Sequence, residues 1–227
     1  MFKKTFIAGA VLLAALGAQA QTLAVTGTVN PASCSVSLTA GATLDWGNLS
    51  AMTVRNLNLS VGHYQLGPKN ADYVVSCDAP ATVLISMTDT YAGLKTDMLG
   101  GAGMEALRFG LVDGGVSGTG KAPMGALNVY LGISGTRLDT TQTPFGVMRS
   151  PITNLVTWSG PTVGSTTLLA PDFAVGWTRL STELVPQAVT KIEGSLYFWP
   201  YVNKAYLDAA PSVISMKAAT TLTLKYL

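Results

Sequence analysis

The chain has 227 residues, of which 48% are hydrophobic and 11% are charged, with a formal net charge of +2. Its basic residues are too few and too scattered to make the phosphate contacts on which nucleic-acid affinity depends. The high hydrophobic content also excludes a largely disordered chain. We therefore expect a globular fold without a nucleic-acid partner.

The first twenty residues have the pattern of a secretory signal peptide. Lys3 and Lys4 precede the apolar run Phe6–Leu16 and the small-residue cleavage site Ala18–Ala20. We predict that residues 1–20 are a signal peptide and that it is removed on export. Its removal would leave twelve basic and twelve acidic residues, and a protein without net charge has little repulsion between copies.

The chain contains two cysteines, Cys34 and Cys77. An exported protein meets an oxidising compartment, where an even pair of cysteines favours a disulfide. The alternative is a pair of buried free thiols. A metal site is disfavoured because the chain has one histidine and no C-x-x-C motif.

Beyond the leader, apolar and polar residues alternate with a period of two. Six segments have this pattern: Leu23 to Val29, Cys34 to Leu38, Leu57 to Val61, Tyr73 to Cys77, Val83 to Met87 and Leu222 to Tyr226. Turn-forming residues such as Asp78–Pro80 lie between them. The pattern predicts many short strands and an antiparallel β-sandwich.

The middle of the chain, residues 91–187, is rich in Gly, Ser and Thr. It contains four apolar bursts: Leu107–Val112, Leu127–Ile133, Ile152–Trp158 and Phe173–Trp177. We expect further strands and long loops there, with a short helix over Asp97–Leu107. Neither an internal repeat nor a linker divides the chain, which favours a single elaborated domain.

One segment resembles a phosphate-binding loop. Gly115–Lys121 fits the first seven positions of that motif, but Ala122 replaces the Ser or Thr that would hold Mg²⁺. Pro123 and Gly125 interrupt the helix that should follow and aim its N–H groups at the phosphate. We interpret the segment as a Gly-rich loop and expect no nucleotide, metal or other cofactor.

The sequence also gives little sign of a hydrolase active site. His63 is the one histidine, in a segment that we predict to be a solvated loop, and no G-x-S-x-G motif is present. Asp89, Asp97 and Glu105 lie in one stretch, but no pattern brings two of them together. We therefore do not expect an enzyme.

An aromatic cluster near the C-terminus allows two interpretations. On an alternating strand, Tyr197 and Trp199 share one face and Phe198 lies on the other, with Tyr201 following. Packing within or between sheets is one interpretation. Stacking against a carbohydrate ligand is the second.

Both ends of the expected mature chain are built as strands, and four motifs in order carry a resemblance. They are Gly27–Cys34, with a glycine seven residues before the first cysteine; Leu44–Leu49; Tyr73–Cys77; and Thr221–Leu227, with its penultimate Tyr226. Together they resemble subunits of the chaperone–usher pilus family. The similarity covers about the first 90 and the last 15 residues, and it is greatest to the longer, divergent beta-fimbrial major subunits of Gram-negative bacteria.

The resemblance implies an immunoglobulin-like sandwich of the pilin type that lacks its final strand. An apolar groove would then lie beside the C-terminal strand, and a periplasmic chaperone would fill it until the next subunit's N-terminal extension took its place. The domains implied are a donor-strand extension at residues 21–33 and a single pilin-like β-sandwich, with an expanded middle region, at residues 34–227.

The family's functional positions carry over to two groups of residues. The donor strand comprises Leu23, Val25 and Val29 as side chains that fill pockets, and Gly27, where the backbone approaches closely. The groove edge, which is also the chaperone contact, comprises Leu222, Leu224, Tyr226 and the carboxylate of Leu227.

The function implied is a structural subunit of a surface fimbria that supports cell adhesion and is assembled by donor-strand exchange. Its partners would be neighbouring subunits in a head-to-tail polymer, the chaperone and an outer-membrane usher, and its location the cell surface, reached through the periplasm. The alternative is a secreted carbohydrate-binding module or a fimbrial tip adhesin, which would expose Trp158, Trp177 or Trp199 in a surface groove.

Overall fold

The computed structural model describes residues 32–39, 43–47, 49–60, 62–96, 107–114, 122–140, 143–209 and 213–227. Within the chain, residues 32–227 form one compact unit. Several sequence predictions lie outside the described residues: the signal peptide (1–20), the donor-strand positions Leu23, Val25, Gly27 and Val29, the helix over Asp97–Leu107 except its last residue, and the Gly-rich loop Gly115–Lys121.

The described residues form seventeen strands and two short helices. In chain order the elements are β1 (Cys34–Leu38), β2 (Leu49–Ser50), α1 (Ala51–Arg55), β3 (Leu59–Ser60), β4 (His63–Gln65), β5 (Lys69–Ala81), β6 (Val83–Asp89), β7 (Phe109–Asp113), β8 (Pro123–Gly132), β9 (Arg137–Leu138), β10 (Gly146–Pro151), β11 (Ser159–Thr162), β12 (Thr166–Leu168), β13 (Phe173–Thr178), β14 (Val189–Asn203), α2 (Lys204–Ala209), β15 (Val213–Ile214), β16 (Met216–Lys217) and β17 (Thr220–Tyr226).

The strands assemble into two main sheets. The larger has ten strands, with the central order β1-β5-β14-β8-β7-β16, and the smaller has five, in the order β11-β10-β13-β6-β17. Strands β2 and β15 form a separate pair. The pairings within the described residues are antiparallel, which confirms the predicted all-β antiparallel class.

The main core lies between the two sheets. Tyr73 and Ile192 of the larger sheet and Ile85 and Trp177 of the smaller one belong to a single buried cluster. The rings of Tyr73 and Trp177 meet across it with centroids 6.5 Å apart. The alternation in β5 and β14 produces this core because successive side chains of a strand point to opposite faces. The arrangement is therefore sandwich-like.

The predicted disulfide between Cys34 and Cys77 is present. The two cysteines are direct partners across the β1–β5 pair, with Cα atoms 4.0 Å apart. The bond therefore fixes the first strand of the unit at the edge of the larger sheet.

Three local predictions are wrong. The residues Asp78–Pro80 do not form a turn, because β5 continues through them to Ala81 and the chain reverses at Thr82. The burst Ile152–Trp158 forms turns instead of a strand. In the described part of the alternating segment, residues 57–60, the strand is the pair Leu59–Ser60. In β5, pairing with the distant strands β1 and β14 outweighed the local turn signal.

Among the described residues, the helices are too short to cross a bilayer.

Candidate functional site

The C-terminal strand β17 lies at the edge of the smaller sheet. It pairs with β6 along its whole length, from Thr220 opposite Asp89 to Tyr226 opposite Val83. Among the described strands none pairs with its other edge. An edge of this kind presents a row of backbone N–H and C=O groups to which a further strand can bond.

Strand β1 is the corresponding edge of the larger sheet, and it lies on the same side of the sandwich. The hydroxyl of Tyr226, near the end of β17, accepts a hydrogen bond from the Cys34 N–H at 3.1 Å and donates one to the Cys34 carbonyl at 3.2 Å. The two edges are thus joined where β1 begins and β17 ends. Farther along they are not bonded to each other, and a groove separates them.

The groove has a volume of about 420 Å³ and is mainly apolar. Its floor is the inner face of the larger sheet, and one wall is the chain from β16 into β17. The side chains that line it include Leu38, Ala71, Met87, Leu111, Leu127, Leu196, Phe198, Pro200, Met216, Ala218, Thr220 and Leu222. Most are buried or half-buried, so the groove extends the main core to the surface.

The rim of the groove carries an ordered tryptophan. Trp46 donates from Nε1 to the carbonyl of Gly67 at 3.0 Å. The ammonium of Lys69 lies 5.6 Å from the Trp46 ring centroid and also donates to the carbonyl of Asp45. A cation over an indole face is a favourable contact, and these bonds hold the Trp46 ring at the mouth of the groove.

The arrangement fits one extended segment. A strand added beside β17 would bond to its unpaired edge and bring every second side chain over the groove. Those side chains would meet Leu222 on β17, Leu38 on β1 and the apolar floor. A segment with alternating apolar residues would therefore bury those residues in the groove. It would also form hydrogen bonds with the unpaired backbone groups of β17.

The predicted groove-edge residues do not share one environment in the structure. Leu222 lines the groove and, like Leu224, packs against the main core. Tyr226 is 48% exposed and bonds to Cys34, and the exposed Leu227 donates its N–H to the carbonyl of Thr82. The sequence patterns did not identify the groove-lining residues of β1, of the segment 43–46 or of the segment 216–220. The alternation of β1 did, however, indicate an inward face for Leu38.

The aromatic cluster is divided between two faces, as its alternation predicts. Phe198 points inward, packs against the core and lines the groove. Trp199 lies on the outer face, where its ring packs edge-on against Tyr130 at a centroid distance of 6.1 Å. An edge-on pair is a packing arrangement, not a flat stacking platform. Trp177, one of the tryptophans that the alternative function required at the surface, is buried.

The expectation that His63 is solvated is wrong. Its side chain lies in β4 and is only 2% exposed. The Nε2 atom is 3.0 Å from Thr96 Oγ1 and 3.2 Å from Asn203 Nδ2. The histidine therefore joins β4 to the end of β14, since a buried polar group needs hydrogen-bond partners.

Asp139, just after β9, accepts several hydrogen bonds and pairs with a cation. Its Oδ1 accepts from the Thr190 N–H at 2.7 Å, the Thr190 hydroxyl at 2.8 Å and the Lys191 N–H at 3.2 Å, and its Oδ2 pairs with Arg179. Burial alone would raise the pKa of Asp139. The hydrogen bonds and the Arg179 charge outweigh it and lower the pKa below the ordinary 3.8. The carboxylate joins the β9 segment to β14.

A comparison with known protein families matches part of the chain. Residues 23–122 are similar to a family described as "Protein of unknown function (DUF1120)". The matched segment is less than half of the 227 residues, and it includes the disulfide, β1, β5 and β6 but not β17. No curated protein and no solved structure matches the chain.

Proposed function

We propose that this protein is a structural subunit of a surface fimbria, assembled by donor-strand exchange through the chaperone–usher pathway. The observation that carries the proposal is the apolar groove beside the unpaired edge of the C-terminal strand. An unpaired strand edge with an apolar face is an association hazard. On this proposal the sandwich is therefore incomplete as a monomer.

The donor for the groove is the segment Thr22–Val29 of another copy of the chain. Leu23, Val25 and Val29 alternate with threonine and alanine, so one face of an extended strand would be apolar. Gly27 interrupts that face with the smallest residue, which would allow a close approach of the backbone. The segment lies directly before β1 and is therefore in place to reach a neighbouring subunit.

On this proposal the subunit has an immunoglobulin-like pilin fold that the donated strand completes. Before assembly, a periplasmic chaperone occupies the groove by the same strand addition and contacts Leu222, Leu224, Tyr226 and the Leu227 carboxylate. An outer-membrane usher then receives the subunit, and the polymer reaches the cell surface. The contact is head-to-tail and does not close, so it produces a filament.

The decisive experiment is periplasmic co-expression of the full chain with a candidate chaperone, followed by removal of the chaperone. We expect an SDS-resistant ladder of oligomers from the full chain and no ladder from a variant that lacks residues 22–29. A ladder that forms equally well without those residues would overturn the proposal. A stable, soluble monomer that needs no chaperone would also overturn it and would favour a secreted binding module.

A peptide experiment isolates the groove. A synthetic peptide of residues 21–33 should bind the deletion variant and change the fluorescence of Trp46, which lies at the mouth of the groove. The Trp46→Phe variant should still bind the peptide but lose that fluorescence change. The control peptide carries Leu23→Asp and Val25→Asp and should not bind, because each substitution places a charge in an apolar site. Equal binding of both peptides would contradict the proposal.

A further inference from the structure

The exposed large apolar side chains are unevenly distributed over the sandwich. We call the end where β1 begins and β17 finishes the Cys34 end. Thr178 of β13 and Gly146 of β10 are paired at this end, and the Leu227 N–H bonds to Thr82 there. Seven of the eleven strongly exposed large apolar side chains of the described residues lie at this end: Phe145, Val163, Leu180, Leu184, Val185, Tyr226 and Leu227.

These seven residues form the Cys34-end surface. Leu180, Leu184 and Val185 belong to the loop from β13 to β14, which is tightly held. The Glu183 carboxylate accepts from the Leu180 N–H at 3.1 Å, and the Gln187 N–H donates to the Trp177 carbonyl at 2.9 Å. A loop held in this way presents Leu184, which is 76% exposed, to solvent as a preformed apolar surface.

The length of chain before Cys34 limits what can cover this surface. Under the proposed function, on which this inference rests, Val29 lies in the groove of a neighbouring copy. The five Cα–Cα steps from Val29 to Cys34 span at most about 18 Å. The neighbouring copy must therefore lie against the end of the sandwich from which the extension leaves, and that is the Cys34 end.

The neighbouring copy offers an apolar surface beside its groove. In α1, Ala51 and Val54 pack in the cluster that contains Leu111 and Met216, both of which line the groove. Met52 projects from the same helix and is 72% exposed. The α1 side of one copy and the Cys34-end surface of the next are thus different patches, as a non-closing contact requires.

We propose that the Cys34-end surface is a second interface between copies of this chain, which packs against the α1 side of the subunit that accepts its donor strand. The donated strand then supplies the connection, and the second interface fixes the angle between successive subunits. The charged groups of the 179–183 loop are bonded within the subunit: Arg179 pairs with Asp139, and the Glu183 carboxylate accepts from the N–H groups of Arg179 and Leu180.

The test is hydroxyl-radical footprinting of the full chain before and after polymerisation. In the polymer we expect oxidation of Leu180, Leu184 and Met52 to fall about threefold or more, as for side chains that enter an interface core. Val156 is 83% exposed in the loop between β10 and β11 and belongs to neither patch, so its oxidation should not change. A polymer in which Leu184 and Met52 keep their reactivity would overturn the inference.

A variant separates the second interface from strand donation. Leu184→Asp should leave binding of the 21–33 peptide unchanged and weaken filaments about tenfold or more in the concentration needed for assembly, since an unpaired interfacial charge is costly. Val156→Asp is the matched control. Normal filaments from Leu184→Asp would contradict this inference alone. Loss of the ladder in the unsubstituted chain would overturn the proposed function and this inference with it.

Discussion

The hydroxyl of Tyr226 both accepts from the N–H of Cys34 and donates to its carbonyl, at 3.1 and 3.2 Å. A side chain near the end of β17 thus forms hydrogen bonds with the backbone of β1, 192 positions earlier in the chain. Cys34 is also bonded to Cys77. Tyr226 therefore joins the end of β17 to a backbone that the disulfide already holds.

Removal of this hydroxyl should destabilise the fold modestly. We expect Tyr226→Phe to lower the free energy of unfolding by about 1 kcal/mol, because two hydrogen bonds are lost at a half-exposed site. Tyr197→Phe on the outer face of the larger sheet is the matched control. Urea unfolding of both variants checks the difference, and equal stabilities would show that the contact with Cys34 contributes nothing.

The disulfide should contribute more to the free energy of unfolding than the Tyr226 hydroxyl does. Cys34 and Cys77 are separated by 43 positions, and the chain-entropy relation gives about 4 kcal/mol for a loop of this size. We expect the double variant Cys34→Ser/Cys77→Ser to unfold at a correspondingly lower urea concentration. Reduction of the unsubstituted protein should have a similar effect. A loss below about 1 kcal/mol would contradict the entropic account for this protein.

Gly125 is required by close packing of two backbones. A Cβ atom at this position would lie 1.9 Å from the carbonyl oxygen of Tyr201. Because a backbone atom cannot move aside cheaply, Gly125→Ala should separate β8 from β14 and cost about 3 kcal/mol or more. Gly93→Ala is the control, since its Cβ would meet no atom within 4 Å. Thermal unfolding should distinguish the two, and near-equal midpoints would contradict the prediction.

Asp139 should make stability depend on pH in acid. Its folded-state pKa is lowered below the ordinary 3.8, so its contribution is fully present above that value and is lost as the pH falls through the folded pKa. We expect Asp139→Asn to be about 1 kcal/mol less stable at neutral pH. The difference should shrink as the pH falls towards 2. Unfolding measured across that range checks the sign, and a constant difference would show that ionisation of Asp139 is irrelevant.

A charge in the groove should block strand addition. Leu38 lines the groove on β1, whereas Ser37 points to the exposed face. We expect Leu38→Glu to weaken binding of the 21–33 peptide about thirtyfold, equivalent to about 2 kcal/mol for an unpaired charge at an apolar contact. Ser37→Glu should leave the affinity within about twofold, as expected for a surface substitution. Equal affinities would place the peptide elsewhere.

The local pattern of apolar and polar residues was sufficient to predict several parts of the fold. The alternation of Leu222 and Leu224 predicted the C-terminal strand and its inward face, and Val83–Met87 predicted the strand that pairs with it. Cys34 and Cys77 each lie on a predicted strand and are bonded. These features depend on the period-two geometry of a strand and on the chemistry of a cysteine pair, both of which are readable from neighbouring residues.

Other features depend on contacts between residues far apart in the chain. Leu38, Trp46, Phe198 and Met216 meet in one groove, although the alternation around Leu38 and Phe198 indicated only which face of each strand is inward. His63 is buried because β14 and Thr96 close over it. By itself, the sequence determined the all-β class, the disulfide and the inward face of the last strand. Only the tertiary structure decided which strand edges stay unpaired and where the groove lies, because sheet order is set by pairing between distant segments, which local patterns do not encode.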